Sequence, residues 1–376
     1  MSEETTYTAL PALRFPEFED AGRWELKRLG EVLCFESSTL AQNKLELQKQ
    51  GFEVYGASGF IGYLKSYAQK ERYIAILKDG SGVGRITIHN AKSSILGTMG
   101  YLKSKDLNTS DLIWSYYMLQ SLDLRSYIKG SGIPHLYYSD YEKHELLIPS
   151  LAEQQKIASC LSSLDDLIAA ASAKLDALKA HKRGLMQVLF PAPGETVPRL
   201  RFPEFADAGE WEEKKLGEVC ENIFSGQDKH QENGIYKLYG STGVIGNTEK
   251  ATLSGKYILV ARVGANAGQL NLTTGTFGVT DNTLIVKPVK FTDTDFLYYL
   301  LSNFGLTKLV FGSGQPLITG GQLKGLPISL PVGAEKQKIA ACLSTQDELI
   351  EAQAGKVEAL KAHKRGLMQG LFPAAG

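Results

Sequence analysis

A 40-residue segment occurs twice in this chain, and that duplication constrains the fold more than any other feature. Residues 152–191 read AEQQKIASCLSSLDDLIAAASAKLDALKAHKRGLMQVLFP and residues 334–373 read AEKQKIAACLSTQDELIEAQAGKVEALKAHKRGLMQGLFP, identical at 28 of 40 positions. A shorter pair recurs upstream of each: residues 13–32 (LRFPEFEDAGRWELKRLGEV) and residues 200–219 (LRFPEFADAGEWEEKKLGEV) agree at 16 of 20 positions. The period far exceeds the roughly 20–50 residues of a solenoid unit, so the chain is a domain duplication. Each half is a variable module followed by the long matching segment.

The long segments read as helices. Ile157, Leu161, Leu164, Ile168, Ala171, Leu175, Leu178, Leu185 and Leu189 recur at spacings of four and three, a coiled-coil seam interrupted once, by Lys182. Ile339, Leu343, Gln346, Ile350, Gln353, Val357, Leu360, Leu367 and Leu371 keep the same phase in the second copy. LFP closes both, a helix-stop signal. At about 1.5 Å per residue each helix is roughly 54 Å long. Two amphipathic helices on separate cores are the alternative, but a seam held for about five heptads exceeds what one globular face needs. The first helix delivers the chain to the second module, and the second, if the halves are equivalent, ends near where the first module begins. An antiparallel pair is therefore expected, with one module at each end. Gln346 and Gln353 replace Leu164 and Ala171; polar seam residues cost stability and can set register.

Between these repeats the modules diverge, but three echoes survive. YGASGFIG (55–62) matches YGSTGVIG (239–246), KDGSGVGRITIHN (78–90) matches RVGANAGQLNLTT (262–274), and GSGIP (130–134) matches GSGQP (312–316). The first two read as strand, glycine-rich turn, strand. An apolar helical stretch, 112–122 or 296–304, precedes the third. The expected fold class is α+β: two mixed α/β modules separated by a long antiparallel two-helix coiled coil, with internal pseudo-two-fold symmetry. The domains expected are 1–150, a first helix 151–191, 192–332 and a second helix 333–376.

Composition narrows the function. Apolar residues at 43% and charged residues at 22% are ordinary for a soluble globular protein. With 41 basic and 41 acidic residues the net charge is +0, which excludes a uniformly basic nucleic-acid coat but not a local basic face. A DNA-facing surface would draw on Lys65, Lys78, Arg85 and Lys92 in the first module and on Lys237, Arg262, Asn266, Gln269 and Asn271 in the second. Arg and Asn/Gln are the side chains that make bidentate contacts to guanine and adenine edges. On charge alone, solvated strand and turn residues remain the simpler account. Four cysteines without a CxxC pair suggest neither a disulfide framework nor zinc. No secretory signal and no membrane-length apolar run is evident, so a cytoplasmic protein is expected.

Catalytic motifs are absent or weak. Residues 80–87 (GSGVGRIT) lack the lysine and spacing of a phosphate loop, and no GxGxxG sits between a strand and a helix. Asp20–Glu25–Lys27 and Asp207–Glu212–Lys214 resemble a metal-nuclease pattern, but both lie in short polar segments that read better as surface turns or helix starts. His181 and His363, in HKRG, read as cationic helix ends, and Cys160 and Cys342 as core thiols.

AEQQKIASCLSSLDDLI, the KRGLMQ–LFP helix end, RFPEF…W–KLGEV, and GSGQP…LPISLP before AEKQKIA together resemble the specificity subunit of type I restriction–modification enzymes. The likeness covers nearly the whole chain in two repeats. It implies that each variable module is a target recognition domain for double-stranded DNA and that the helices form the spacer. It also implies that two methyltransferase subunits dock on the chain and that motor–nuclease restriction subunits join them. The chain itself would hold no cofactor, its partners using S-adenosylmethionine, ATP and Mg2+, with no membrane involved. GSGIPHLYY and KHELLIP are a looser version of the pattern in the first half. The rival class is a stand-alone two-headed DNA-binding or scaffold protein without restriction partners. A repressor usually gains two-fold symmetry by pairing identical heads, whereas this chain holds two different ones.

A charge placed in the seam tests the helix pairing. Leu175→Asp or Val357→Asp is expected to cost on the order of 3 kcal/mol and lower the melting temperature; unchanged melting would contradict the pairing.

Overall fold

The computed structural model describes residues 10–290, 293–312 and 314–373. The chain divides into two compact units, one built from Met1–Ala171 with Lys356–Gly376 and the other from Ser172–Gly355. Each 39-residue helix, Leu151–Leu189 or Gly333–Leu371, therefore gives one part of its length to each unit.

In the first unit a four-stranded antiparallel sheet runs in the order Leu33–Ser37, Met99–Ser104, Tyr73–Leu77, Ile86–His89. The strand YIAIL at 73–77 is buried along its whole length, as a continuous apolar run predicts. Its alternating side chains serve two cores. Ile74 and Ile76 join Trp114, Leu119, Ile157, Leu161, Leu371 and Phe372, while Tyr73, Ala75 and Leu77 join Ile95, Met99 and Tyr101. A hairpin, Phe52–Gly56 with Gly59–Leu64, adds the short parallel strand Ser94–Ile95. The helix Leu112–Ser121 covers the larger core; Asp111 caps it by accepting from the Trp114 amide at 2.8 Å.

The second unit repeats this plan as one six-stranded sheet: Cys220–Ser225, Thr283–Pro288, Leu253–Ala261, Leu270–Val279, Tyr236–Gly240, Gly243–Thr248. Ile258 and Val260 face the large core with Phe296 and Leu301, and Leu259 faces a smaller one with Phe277 and Ile285. The covering helix is Thr294–Phe304. The α+β class and the two repeated modules expected from sequence are thus present.

Each unit also holds a two-stranded ribbon leading into a long helix. Glu25–Arg28 pairs with Glu145–Ile148, and Glu212–Lys215 pairs with Pro327–Leu330. The ExK residues therefore lie on strands rather than in the turn or helix start expected, because the ribbon supplies a ladder partner that local sequence does not reveal. Glu25 and Lys27 simply pair with each other along one face of the same strand at 2.9 Å.

Along the long helices, burial follows the seam. Ile157, Leu161, Ala171 and Leu189 are buried and Leu164, Ile168, Leu175, Leu178 and Leu185 half-buried; Asp166, Leu167, Ala169 and Ala170 between them are exposed. Ile339, Leu343, Gln353, Val357 and Leu371 are buried and Gln346, Ile350, Leu360 and Leu367 half-buried. Within each unit the two helix segments run antiparallel. In the first, Asp165 meets Lys364 while Ile157 shares a core with Leu371. In the second, Lys182 meets Asp347 while Leu189 shares a core with Ile339.

These contacts explain the interrupted seam. Lys182 Nζ donates to Asp347 Oδ1 at 2.5 Å and lies 5.0 Å from the Tyr299 ring, whose hydroxyl donates to Asp347 Oδ2 at 2.8 Å. Lys364, Asp165 and Tyr117 repeat the triad in the first unit at 2.6, 4.9 and 2.7 Å. The lysine stem packs in the seam while its head is neutralised, and the tyrosine ties the module's own helix to the pair. Burial first, then the bond to the carboxylate, raises the Tyr117 and Tyr299 pKa values well above the usual phenol range. His181 and His363 are exposed and lie more than a turn before the helix ends, and the last turns carry no basic residue, so the dipole reading of HKRG does not hold. Cys160 and Cys342 are half-buried rather than core thiols.

The upstream repeat clamps these helices. Arg14 makes a bidentate pair with Glu153 at 2.8 and 2.7 Å, and Arg201 makes the same pair with Glu335 at 2.7 and 2.7 Å. Glu153 and Glu335 are each only 1% exposed. The Leu13 amide donates to the Gly370 carbonyl at 2.8 Å, and the Leu200 amide to the Val188 carbonyl at 2.9 Å. In each unit LRFPEF therefore joins the start of one long helix to the end of the other.

Arg14→Met leaves the Glu153 carboxylate buried without its cation. It is expected to cost about 3–5 kcal/mol in denaturant unfolding. Arg14→Met combined with Glu153→Leu should recover most of that loss; a double variant as unstable as the single one would show that the ion pair is not the source.

Candidate nucleic-acid interface

Two of the three echoes meet in space, in the same way in both units. In the first, the turn at 78–85 connects Tyr73–Leu77 to Ile86–His89. Gly80 N donates to the Pro134 carbonyl at 2.9 Å, and Leu136 N to the Lys78 carbonyl at 2.8 Å, so the GSGIP loop is stitched to the glycine turn. In the second, Gly264 N donates to the Pro316 carbonyl at 2.9 Å and Ile318 N to the Arg262 carbonyl at 2.9 Å. Inside the turns, bonds from Val83, Gly84 and Arg85 to Gly80, Leu77 and Gly82 match those from Ala267, Gly268 and Gln269 to Gly264, Ala261 and Asn266.

Glycine is required where these turns reverse. Gly80 and Gly84 have φ of 88° and 86°, Gly264 and Gly268 80° and 84°. Gly130 and Gly312 open the loops at 97° and 99°, and a Cβ there would lie 2.6 Å from the Ile133 carbonyl oxygen or 2.7 Å from that of Gln315. The glycines of the motif resembling a phosphate loop thus serve a hairpin, as expected.

The side chains on this shared frame differ. In the first unit Lys78 pairs with Asp79 at 2.8 Å, and His135 Nδ1 lies 2.7 Å from the other Asp79 oxygen. Burial raises the Asp79 pKa, but the bonds from Lys78 and His135 outweigh it, and the net shift is downward. Arg85 is exposed, and its Nη1 donates to the Ala57 carbonyl at 2.8 Å, linking the turn to the tip of the YGASGFIG hairpin. In the second unit Arg262 is half-buried, its Nη1 lying 3.4 Å from Ser225 Oγ and 3.3 Å from the Asp281 carbonyl. Gln269 is exposed, and its Nε2 donates to Asn266 Oδ1 at 3.1 Å.

The structure therefore brings Lys78 and Arg85 onto one turn and Arg262, Asn266 and Gln269 onto the other. The remaining candidates lie elsewhere. Lys65 is exposed just past the strand Gly59–Leu64, and Lys92 is exposed in a left-handed conformation at φ 57°. Lys237 is exposed opposite Asn247 in the second hairpin, and Asn271 is half-buried in the ladder opposite Leu259. Sequence reasoning missed His135 and Asp79; the position of His135 directly after GSGIP was the available signal. It also missed His89, which lies 4.2 Å from the Tyr55 ring and 5.5 Å from the Tyr73 ring. Burial lowers its pKa to about 4 against the opposing pull of Glu53, so the imidazole is neutral near pH 7.

Among the described residues no group of three or more His, Cys, Asp and Glu side chains is placed to hold a metal ion, and no helix is long and apolar enough to cross a membrane.

Comparison with known proteins agrees with this architecture. The family described as type I restriction modification DNA specificity domain matches twice, over residues 22–180 and 208–362. The type I restriction enzyme MjaVIII specificity subunit of Methanocaldococcus jannaschii is 27% identical over 414 residues, covering 98% of this chain and 96% of that protein. The putative MjaX specificity subunit of the same organism is 23% identical, covering 93% and 92%. Among solved structures, the S subunit of a type I restriction–modification system from M. genitalium superposes with a TM-score of 0.70 at 16% identity, over 97% of this chain and 100% of that one.

The loop glycines provide a local test. Gly130→Ala is expected to cost about 1–3 kcal/mol and to speed amide exchange at Gly80, because the left-handed backbone and the Ile133 carbonyl both resist a side chain. Gly132→Ala, with open space around its Cβ, should change neither.

Proposed function

Because the chain belongs to the type I restriction–modification DNA specificity family, we propose that it recognises an asymmetric DNA target in two halves, one half per module, on behalf of partner subunits that carry out the chemistry. The chain is a specificity subunit, a non-catalytic component of such a system. The observation that carries the two-part reading is the pair of glycine frames. Their hydrogen bonds are the same while their exposed side chains differ, as suits one mode of docking onto two different sequences. Lys65, Lys78, Arg85 and Lys92 contact the first half-site in this reading, and Lys237, Arg262, Asn266, Gln269 and Asn271 the second. Phosphate contacts position the modules and base-edge contacts specify the sequence. Residues 1–150 and 192–332 act as the target recognition domains.

Partner docking is supported by identity that folding does not require. The clamp Arg–Glu pairs and the Lys–Asp pairs of the seam match between halves because each half builds the same joint. Lys179, Ala180, His181, Arg183, Gly184 and Gln187 are exposed, yet they equal Lys361, Ala362, His363, Arg365, Gly366 and Gln369, which are exposed too. Two equivalent surfaces suit two copies of one partner. We assign them to two methyltransferase subunits that supply S-adenosylmethionine chemistry, with motor–nuclease subunits using ATP and Mg2+ joining the complex.

The purified chain with Mg2+, ATP and S-adenosylmethionine is expected neither to cut nor to methylate DNA. With its methyltransferase it should bind two copies in native mass spectrometry and methylate a split, non-palindromic motif. Exchanging residues 192–332 for those of a relative should change one half of that motif only. A continuous or palindromic motif, or a saturating one-to-one complex, would contradict the proposal.

A further inference from the structure

One position on the shared frame changes its base-reading chemistry between the two modules. Arg85 and Gln269 are structural equivalents. The residue before each is a left-handed glycine, Gly84 at 86° and Gly268 at 84°, whose amide bonds back to the preceding strand at 2.8 Å in both units. The amides of Arg85 and Gln269 then close onto the carbonyls of Gly82 and Asn266 at 3.1 and 2.9 Å. Both side chains thus leave the same point of the same turn, and both residues are exposed.

The companion position behaves differently. Lys78 and Arg262 occupy matching places at the start of the turn, and both are cations. Each is tied down, Lys78 to Asp79 and Arg262 towards Ser225 and Asp281. A positive charge retained in both modules suits what both half-sites share, the phosphate backbone. A guanidinium exchanged for a carboxamide suits what differs between them.

We propose that Arg85 and Gln269 are base-reading residues of their modules, Arg85 selecting guanine and Gln269 selecting adenine in the major groove. The proposal rests on the reading of the chain as a DNA specificity subunit. Each side chain is oriented in advance by one hydrogen bond that leaves its reading edge available. Arg85 is held through Nη1 at the Ala57 carbonyl, which leaves the Nε–Nη2 edge for the O6 and N7 acceptors of guanine. Gln269 is held through one Nε2 hydrogen at Asn266 Oδ1, which leaves the second hydrogen for adenine N7 and Oε1 for the adenine amino group. Holding a long side chain in place before binding reduces the entropy lost on contact.

The test uses the full chain assembled with its methyltransferase subunits on a DNA library with randomised target positions. Arg85→Gln is expected to switch one G·C pair to A·T in one half of the selected motif, and Gln269→Arg to make the reverse switch in the other half. Discrimination at that pair should move by roughly 5- to 150-fold, the range for a bidentate base contact. Arg85→Lys keeps the charge and a donor for the Ala57 carbonyl but lacks the fork. It should lose the guanine preference while keeping the salt dependence of binding. The unaltered half-site is the internal control for folding, since a misfolded variant would lose both halves. Unchanged selection by both variants, or a uniform weakening of all sequences by Arg85→Gln, would overturn the assignment while leaving the DNA-specificity reading intact. A wild-type complex that selects no sequence at all would overturn that reading and this one together.

Discussion

The larger core of each unit needs the beginning of one long helix and the end of the other. Ile157 and Leu161 come from the first 11 residues of the helix Leu151–Leu189, yet they share a core with Leu371 and Phe372 near the end of the chain. Phe372 also packs 6.1 Å from Trp114 of the module's own helix. The second unit makes the same demand of Leu189 with Ile339 and Leu343. A contiguous half of the sequence therefore holds only part of the apolar surface its module must bury, and the helix pairing is a condition for both folds. The Arg–Glu clamps follow from this constraint. They fasten the chain entering each module to two helix segments that are far apart in sequence, and they do so with buried charges that satisfy each other in bidentate geometry.

The same constraint separates two reasons for internal sequence identity. Arg14 and Arg201, Glu153 and Glu335, and the lysines Lys182 and Lys364 match because two equivalent joints need the same chemistry. The exposed KAH-RG residues of each helix take no part in that joint, and under the proposed function their repetition serves a partner bound twice. The modules diverge where neither reason applies. Their strand frames and glycine turns persist because positive φ angles and close carbonyl contacts permit little else at Gly130 and Gly312. The side chains carried by those turns are free to differ.

A net charge of +0 is compatible with DNA recognition on this arrangement, because the groups that would touch DNA are few and local. Several are already engaged: Lys78 with Asp79, and Arg85 and Gln269 each with one internal acceptor. On the proposed reading, the Lys78–Asp79 pair lowers the diffuse attraction to any DNA, while the internal bonds of Arg85 and Gln269 orient polar edges for a particular one. Specificity would then be weighted over affinity, and the partner subunits of the proposed complex would supply further binding surface.

The sequence by itself determined the duplication, the two long helices and their seam, and the hairpin character of the glycine echoes. These are local or periodic properties, set by the 3.5-residue repeat of apolar side chains and by the turn chemistry of glycine. It also carried the family, through segments whose identity reflects the repeated joint. Tertiary structure decided the rest. Lys182 broke the periodic pattern on paper, and only the approach of Asp347 and Tyr299 from elsewhere in the chain makes a charge tolerable there. The ExK segments read as turns because their strand partners, Glu145–Ile148 and Pro327–Leu330, lie more than a hundred residues downstream. Five of the nine candidate contact residues share the two turns and already lay in the matched glycine echoes, but only folding stitched the distant GSGIP and GSGQP loops onto those turns and showed the other four to lie apart. Periodicity reports which face of an element is buried, whereas a site depends on which distant elements meet, and that information resides in long-range packing.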